Sequence, residues 1–231
     1  MNHNRNILRI KAVSNALGEL KDDVVFVGGA TISLYPDRQY FETRVTDDVD
    51  VIVEILNYKD RVALEEKLRS FGFAHDVESG IICRYTIQGI IVDVIPTDDP
   101  TIGFKNIWYP EGFRNAVDCN IDSNHRVKIL SAPYFIATKL EAFKGRGGGD
   151  GRTSQDFEDI IFVLENRSNI WQELTDTQRG LKDYLTDEFR ALIKITNIFE
   201  WIDAHVERGS PPASYVILDE MENFVQKQAG K

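Results

Sequence analysis

Val27-Gly28-Gly29-Ala30, then Thr46-Asp47-Asp48-Val49-Asp50-Val51, then Ile91-Val92-Asp93-Val94-Ile95: this ordered set carries the reading of the chain. Val24 to Val27 is β-branched and apolar, which predicts a short buried strand. Gly28-Gly29 permits a tight strand-to-helix turn at which a ligand can approach the backbone. Val49 to Ile55 predicts a second strand, the one that bears carboxylates. Side chains alternate across a strand, so Asp48 and Asp50 point to one face. Asp93 lies in another apolar run and is expected to join that face from a neighbouring strand. Each piece alone is common. A Gly-Gly follows strands in many α/β proteins, and an Asp-x-Asp also occurs at solvated strand ends. The combination narrows the reading.

Three converging carboxylates cost free energy unless something positive neutralises them. Oxygen-rich sites of this kind suit Mg²⁺ or Mn²⁺, which need few protein ligands and bridge to phosphate oxygens. The arrangement points to a two-metal site for phosphoryl or nucleotidyl transfer.

Outward from this set, Leu8, Ile10, Val13, Leu17 and Leu20 recur at helical spacing and predict a helix over 7–20. Ala30 to Leu34 is expected to begin a helix that ends before Pro36. Tyr58 to Phe71 predicts an amphipathic helix closed by Gly72, with Val62, Leu64, Leu68 and Phe71 inward. Gly80 to Gln88 and Ile90 to Ile95 read as two strands joined near Gly89. Pro96, Pro100 and Gly103 mark a loop. Ser131, with Pro133 behind it, predicts the start of a helix through Arg146. Gly145-Arg146-Gly147-Gly148-Gly149-Asp150-Gly151 is too glycine-rich to stay helical. Ser154 is placed to cap a helix over Gln155 to Glu165, with Phe157, Ile160, Ile161 and Leu164 buried. Residues 171–228 read as helical, broken at Gly209-Ser210-Pro211-Pro212. The fold class is therefore α+β: a mixed domain over 1–125 and a helical domain over 126–231, with the cleft between them as the natural ligand site.

Composition sets outer limits. With 231 residues, 42% of them hydrophobic, the chain has material for a core. Its apolar runs are too short and interrupted to span a membrane, and Met1 to Asn6 has no apolar core of signal-peptide type. Cys83 and Cys119 are the only cysteines, and no Cys/His cluster has zinc spacing. A cytoplasmic location is expected. The net charge of −10 lowers the expectation of a broad nucleic-acid surface, though an acidic protein can carry a local basic strip. His3, His75, His125 and His205 are scattered. The glycine-rich stretch lacks the Gly-Lys-Ser/Thr ending of a P-loop, and no Rossmann fingerprint is present. Trp108 and Tyr109 read either as a packed aromatic pair or as a base-stacking site.

The pattern resembles the nucleotidyltransferase superfamily of polymerase-β type. There a Gly-Gly or Gly-Ser turn leads to an Asp-x-Asp strand, and a third Asp follows on another strand. Within it the chain is most similar to the AbiEii-type toxin branch. Arg44-Val45-Thr46-Asp47-Asp48-Val49-Asp50 matches its Arg-x-Thr-x-Asp-x-Asp segment, and Lys139-Leu140-Glu141-Ala142 matches its Lys-Leu-x-Ala motif. Gln155-Asp156-Phe157-Glu158-Asp159 matches its Arg-Asp-x-x-Asp motif, with Gln155 in place of Arg and a longer glycine-rich insertion before it. The resemblance covers about residues 24–165.

The resemblance implies metal-dependent transfer of an NMP from an NTP. Catalytic and metal-binding roles fall to Asp48, Asp50 and Asp93. Gly28, Gly29, Thr31, Lys139, Arg146, Asp156 and Asp159 would bind the nucleotide. Lys139 and Arg146 share a face of a continuous helix, as do Asp156 and Asp159. Plainer readings stand beside these: Lys139 as a surface lysine, Arg146 as a charged helix end, Asp156 as support for a helix N-terminus, Thr31 and Ser33 as ordinary first-turn residues. The implied acceptor is RNA, such as a tRNA end, or a protein, and an antitoxin is the implied partner. The alternative is a small-molecule nucleotidyltransferase of the aminoglycoside or lincosamide kind. A non-catalytic binding module is disfavoured by the intact carboxylates.

Overall fold

The computed structural model describes residues 2–37, 43–55, 58–98, 105–146, 149–207 and 212–229. The chain forms two compact units, Met1–Leu34 with Glu42–Ser131, and Tyr35–Phe41 with Ala132–Lys231. The architecture is α+β: the first unit holds a mixed sheet with flanking helices, and the second is helical.

In the first unit the strands are β1 (Val24–Val27), β2 (Asp48–Val53), β3 (Ala74–His75), β4 (Arg84–Ile87), β5 (Ile90–Pro96), β6 (Val117–Asn120) and β7 (Arg126–Ile129). These seven form one sheet in the order β3-β4-β5-β2-β1-β7-β6. The pairs β1–β7 and β2–β5 are parallel, and the other four pairs are antiparallel. β7 lies beyond residue 125, and pairing with β1 holds it in this unit. All of β1 is buried, as its composition predicts. β2 alternates at its first residues and is buried throughout at its end. A strand solvated at one tip and covered at the other needs that pattern.

The helices of this unit are α1 (Asn2–Leu17), α2 (Tyr58–Ser70) and α3 (Tyr109–Arg114). α1 starts earlier than hydrophobic periodicity predicts. Asn6, fully buried, ties that extra turn down: its amide donates to Ser33 Oγ at 3.3 Å and to the Arg44 carbonyl at 3.1 Å. Ile10, Val13 and Leu17 face the core, whereas Leu8 is exposed. The chain after the glycine turn is a tighter 3₁₀ helix, Gly29–Leu34, not an α-helix. The reason is local. Thr31 returns both its N–H (3.3 Å) and its hydroxyl (2.8 Å) to the carbonyl of Gly28, an i→i−3 closure.

In the second unit are α4 (Ala132–Gly145), α5 (Gln155–Asn166), α6 (Ile170–Asp176), α7 (Arg179–Ile193), α8 (Ile198–Asp203) and α9 (Ser214–Ala229). Ser154 caps α5, accepting from the Phe157 N–H at 3.2 Å. Phe157, Ile160, Ile161 and Leu164 are buried, as the helical period predicts. Phe157 packs between Phe143 and Trp201, with ring centroids 5.8 and 5.7 Å away. The segment at Tyr35 belongs here because Arg167 donates to the Tyr35 carbonyl at 3.0 Å and Asp37 accepts from Ser168. Gly147, Gly148, Pro100, Gly103, Gly209, Ser210 and Pro211, where loops or breaks are expected, lie outside the described residues.

Gly28 is fixed twice over. Its φ is +71°, and a Cβ there would lie 1.9 Å from Asp50 Oδ2. Gly80 has a φ of +70° but open space around it. Left-handed backbone costs an L-residue about 1–2 kcal/mol. Urea denaturation should show Gly80→Ala losing about that much and Gly28→Ala clearly more, because only the latter collides with a carboxylate. Equal losses would mean that the Asp50 side chain yields without cost.

Candidate active site

The carboxylates meet because of strand register. β2 and β5 run parallel with Asp50 opposite Asp93, and β1 places Val27 opposite Asp50. Alternation along β2 adds Asp48 to the same face. One oxygen from each of Asp48, Asp50 and Asp93 lies within 4.8 Å of the others. Among the described residues this is the only group of three or more His, Cys, Asp or Glu side chains so placed. Asp47, next in sequence, points away and is 91% exposed, with Arg9 at 3.7 Å.

The glycine turn sits against this cluster. Gly28 leaves the room that the Asp50 carboxylate fills. A Cβ on Gly29 would meet Arg44 Nη2 at 2.2 Å and Thr46 Cγ2 at 2.7 Å. Both glycines are therefore demanded by side chains of β2 and of the segment that leads into it. Thr46 closes that segment by donating its hydroxyl to the Asp48 carbonyl at 3.2 Å. Thr31 is fully buried beneath the turn, its hydroxyl engaged with Gly28. Ser33 is also buried, and Asn6 and Thr43 hold its hydroxyl.

Arg84, which belongs to none of the sequence motifs, completes the site. It stands on β4 directly opposite Asp93. Its Nε and Nη2 donate to Asp93 Oδ1 and Oδ2, each at 2.8 Å, and Nη2 lies 3.7 Å from Asp48 Oδ2. The hydrogen bonds to Asp93 raise the guanidinium's already high pKa further. Beside it, burial and the Asp93 charge push the Cys83 thiol up to about 11, so that thiol stays protonated near neutral pH. The available signal was the spacing: with Gly89 as the turn, Arg84 falls on the strand next to Asp93.

The second predicted group assembles within the helical unit. Lys139 Nζ lies 2.7 Å from Asp159 Oδ2 and 3.2 Å from Asp156 Oδ1, and 5.7 Å from the Phe135 ring centre. Arg146 binds the other oxygen of Asp156. Both aspartates are buried, Lys139 is only 8% exposed, and the Arg146 side chain is 73% exposed. Lys139 is thus no surface lysine. A cavity of about 370 Å³ adjoins the group, lined by Phe143, Arg146, Asp150, Ser154 and Asp156 among others. Three of the four histidines have other partners: His75 bonds Ile82, His125 bonds Asp122, and His205 bonds Gly151. Trp108 is packed, 9% exposed, at the start of α3.

The sheet, the glycine turn and the carboxylate cluster have the layout expected of a nucleotidyltransferase. The chain belongs to the nucleotidyl transferase AbiEii toxin family of the Type IV toxin–antitoxin system, whose family model matches residues 12–200. None of the curated proteins compared matches the chain.

Removing one partner of a buried ion pair leaves an uncompensated charge, which costs about 3–5 kcal/mol. Lys139→Met should lose stability of that order in urea. Adding Asp159→Asn should recover a good part, because the loss stems from a buried charge and not from missing volume. Equal stability of the single and double variants would contradict the pairing.

Proposed function

We propose that this chain moves an NMP from an NTP to an acceptor hydroxyl on RNA, such as a tRNA end, or on a protein. The observation that carries this is the meeting of three carboxylate oxygens within 4.8 Å beside a glycine turn. The donor set suits a hard divalent ion: all oxygens, no His or Cys, and partial exposure. Asp48, Asp50 and Asp93 would hold Mg²⁺ or Mn²⁺, which supplies neutralisation of the triphosphate and a lower pKa for the acceptor hydroxyl.

The chain's own groups do the positioning. Gly28 and Gly29 turn the chain beside the carboxylates and would offer backbone N–H groups to the nucleotide phosphates, and Thr31 serves this by locking the turn. Asp93 orients the acceptor side, with Arg84 fixing its carboxylate. Within the nucleotide-binding group, Lys139 and Arg146 are assigned to nucleotide phosphate, and Asp156 and Asp159 orient those two cations. Arg146 favours this, since its planar fork is largely exposed while one edge is anchored on Asp156. Family membership supports a toxin role with an antitoxin partner. No helix among the described residues is long and apolar enough to cross a membrane.

The test is label transfer from each α-³²P NTP, with Mg²⁺ and with RNA, protein or an aminoglycoside as acceptor. Label in RNA or protein is the expected result; label in the aminoglycoside alone would move the chain to drug modification. Asp50→Asn should reduce transfer at least about a hundredfold, since even groups supporting a metal ligand contribute 10–100-fold. Its melting temperature should not fall, because the change relieves like-charge repulsion. Undiminished transfer would sink the metal-site assignment.

A further inference from the structure

Arg84 is held in the carboxylate cluster by both prongs of its fork. Each Asp93 oxygen accepts from it at 2.8 Å, and the same Nη2 reaches toward Asp48 at 3.7 Å. A bidentate grip fixes the plane of a carboxylate as well as its charge. The side chains are 20% and 12% exposed, so water screens the pair only in part. The Asp93 oxygens held in this way include the one that lies within 4.8 Å of its partners on Asp48 and Asp50.

We propose that Arg84 is a resident counter-cation of this cluster, held on Asp93. It positions Asp93 and competes with divalent metal for it. The nucleotide-free protein then takes one ion, mainly through Asp48 and Asp50, and engages Asp93 fully only as the guanidinium lets go. The inference rests on the metal-site reading of Asp48, Asp50 and Asp93. Arg84 is a positioning residue, acting through Asp93.

The test is Mn²⁺ binding to the full chain without nucleotide at neutral pH, followed by the electron paramagnetic resonance signal of the free ion. Wild type should bind one ion per chain and lose it in Asp50→Asn. Arg84→Gln should bind about tenfold more tightly, as expected when a like charge is removed a few ångströms from the ion. The gain should vanish in Arg84→Gln/Asp93→Asn. Arg84→Lys should fall between, keeping the charge and losing the fork. Unchanged or weaker binding in both Arg84 variants, with Asp50→Asn still losing the ion, overturns the role of Arg84 and leaves the metal site standing. Wild-type binding indifferent to Asp50→Asn overturns the metal-site reading and this inference together. If Arg84→Gln does not fold, the Arg84 Nε–H resonance of wild type decides. It should shift as Mg²⁺ is added, and an unmoved resonance at saturation overturns the inference.

Discussion

Two aspartates on adjacent parallel strands face each other, Asp50 from β2 and Asp93 from β5, and much of the first unit is arranged around that pairing. Like charges directly opposite destabilise a sheet. Here register makes the opposition unavoidable, because a slip by one residue would turn the apolar residues of β2 and β5 outward. The fold answers with Arg84, directly opposite Asp93 on β4. A sheet that gathers three carboxylates on its central strands has a use for their charge.

The glycine turn follows from the same constraint. Asp50 needs space, and Gly28 supplies it by having no Cβ where Oδ2 sits. Arg44 presses against Gly29 in the same way. The turn is then tightened by Thr31 into a 3₁₀ helix. In the helical unit the order is reversed. Two buried aspartates, Asp156 and Asp159, are matched by Lys139 and Arg146, so that group is close to neutral on its own. Its exposed member is Arg146, and a ligand would meet that side chain before Lys139.

The carboxylates were legible in the sequence because period-two alternation and β-branched runs are local signals. So were α2, α4 and the Ser154 cap of α5. Arg84 was not, since a lone arginine on a strand looks like a solvated residue until the partner strand and register are known. β3, β6 and β7 carry no apolar run: β3 and β6 are short edge strands with mostly exposed residues, and β7, between β1 and β6, alternates Arg126 and Lys128 with buried Val127 and Ile129. α1 extends beyond the helix that hydrophobic periodicity predicts because its first turns are held by Asn6, a polar side chain that this periodicity does not weigh. Lys139 could be placed on a helix face by spacing, but its burial depended on two aspartates from a different helix.

The central claim is that Asp48, Asp50 and Asp93 hold a divalent ion for nucleotide chemistry. Anomalous diffraction from crystals grown with Mn²⁺ and a non-hydrolysable NTP tests it most directly. The account predicts an anomalous peak at bonding distance, about 2.0–2.2 Å, from the Asp48 and Asp50 carboxylates. Ordered nucleotide with no such peak at these residues, or with the ion bound elsewhere, would contradict it.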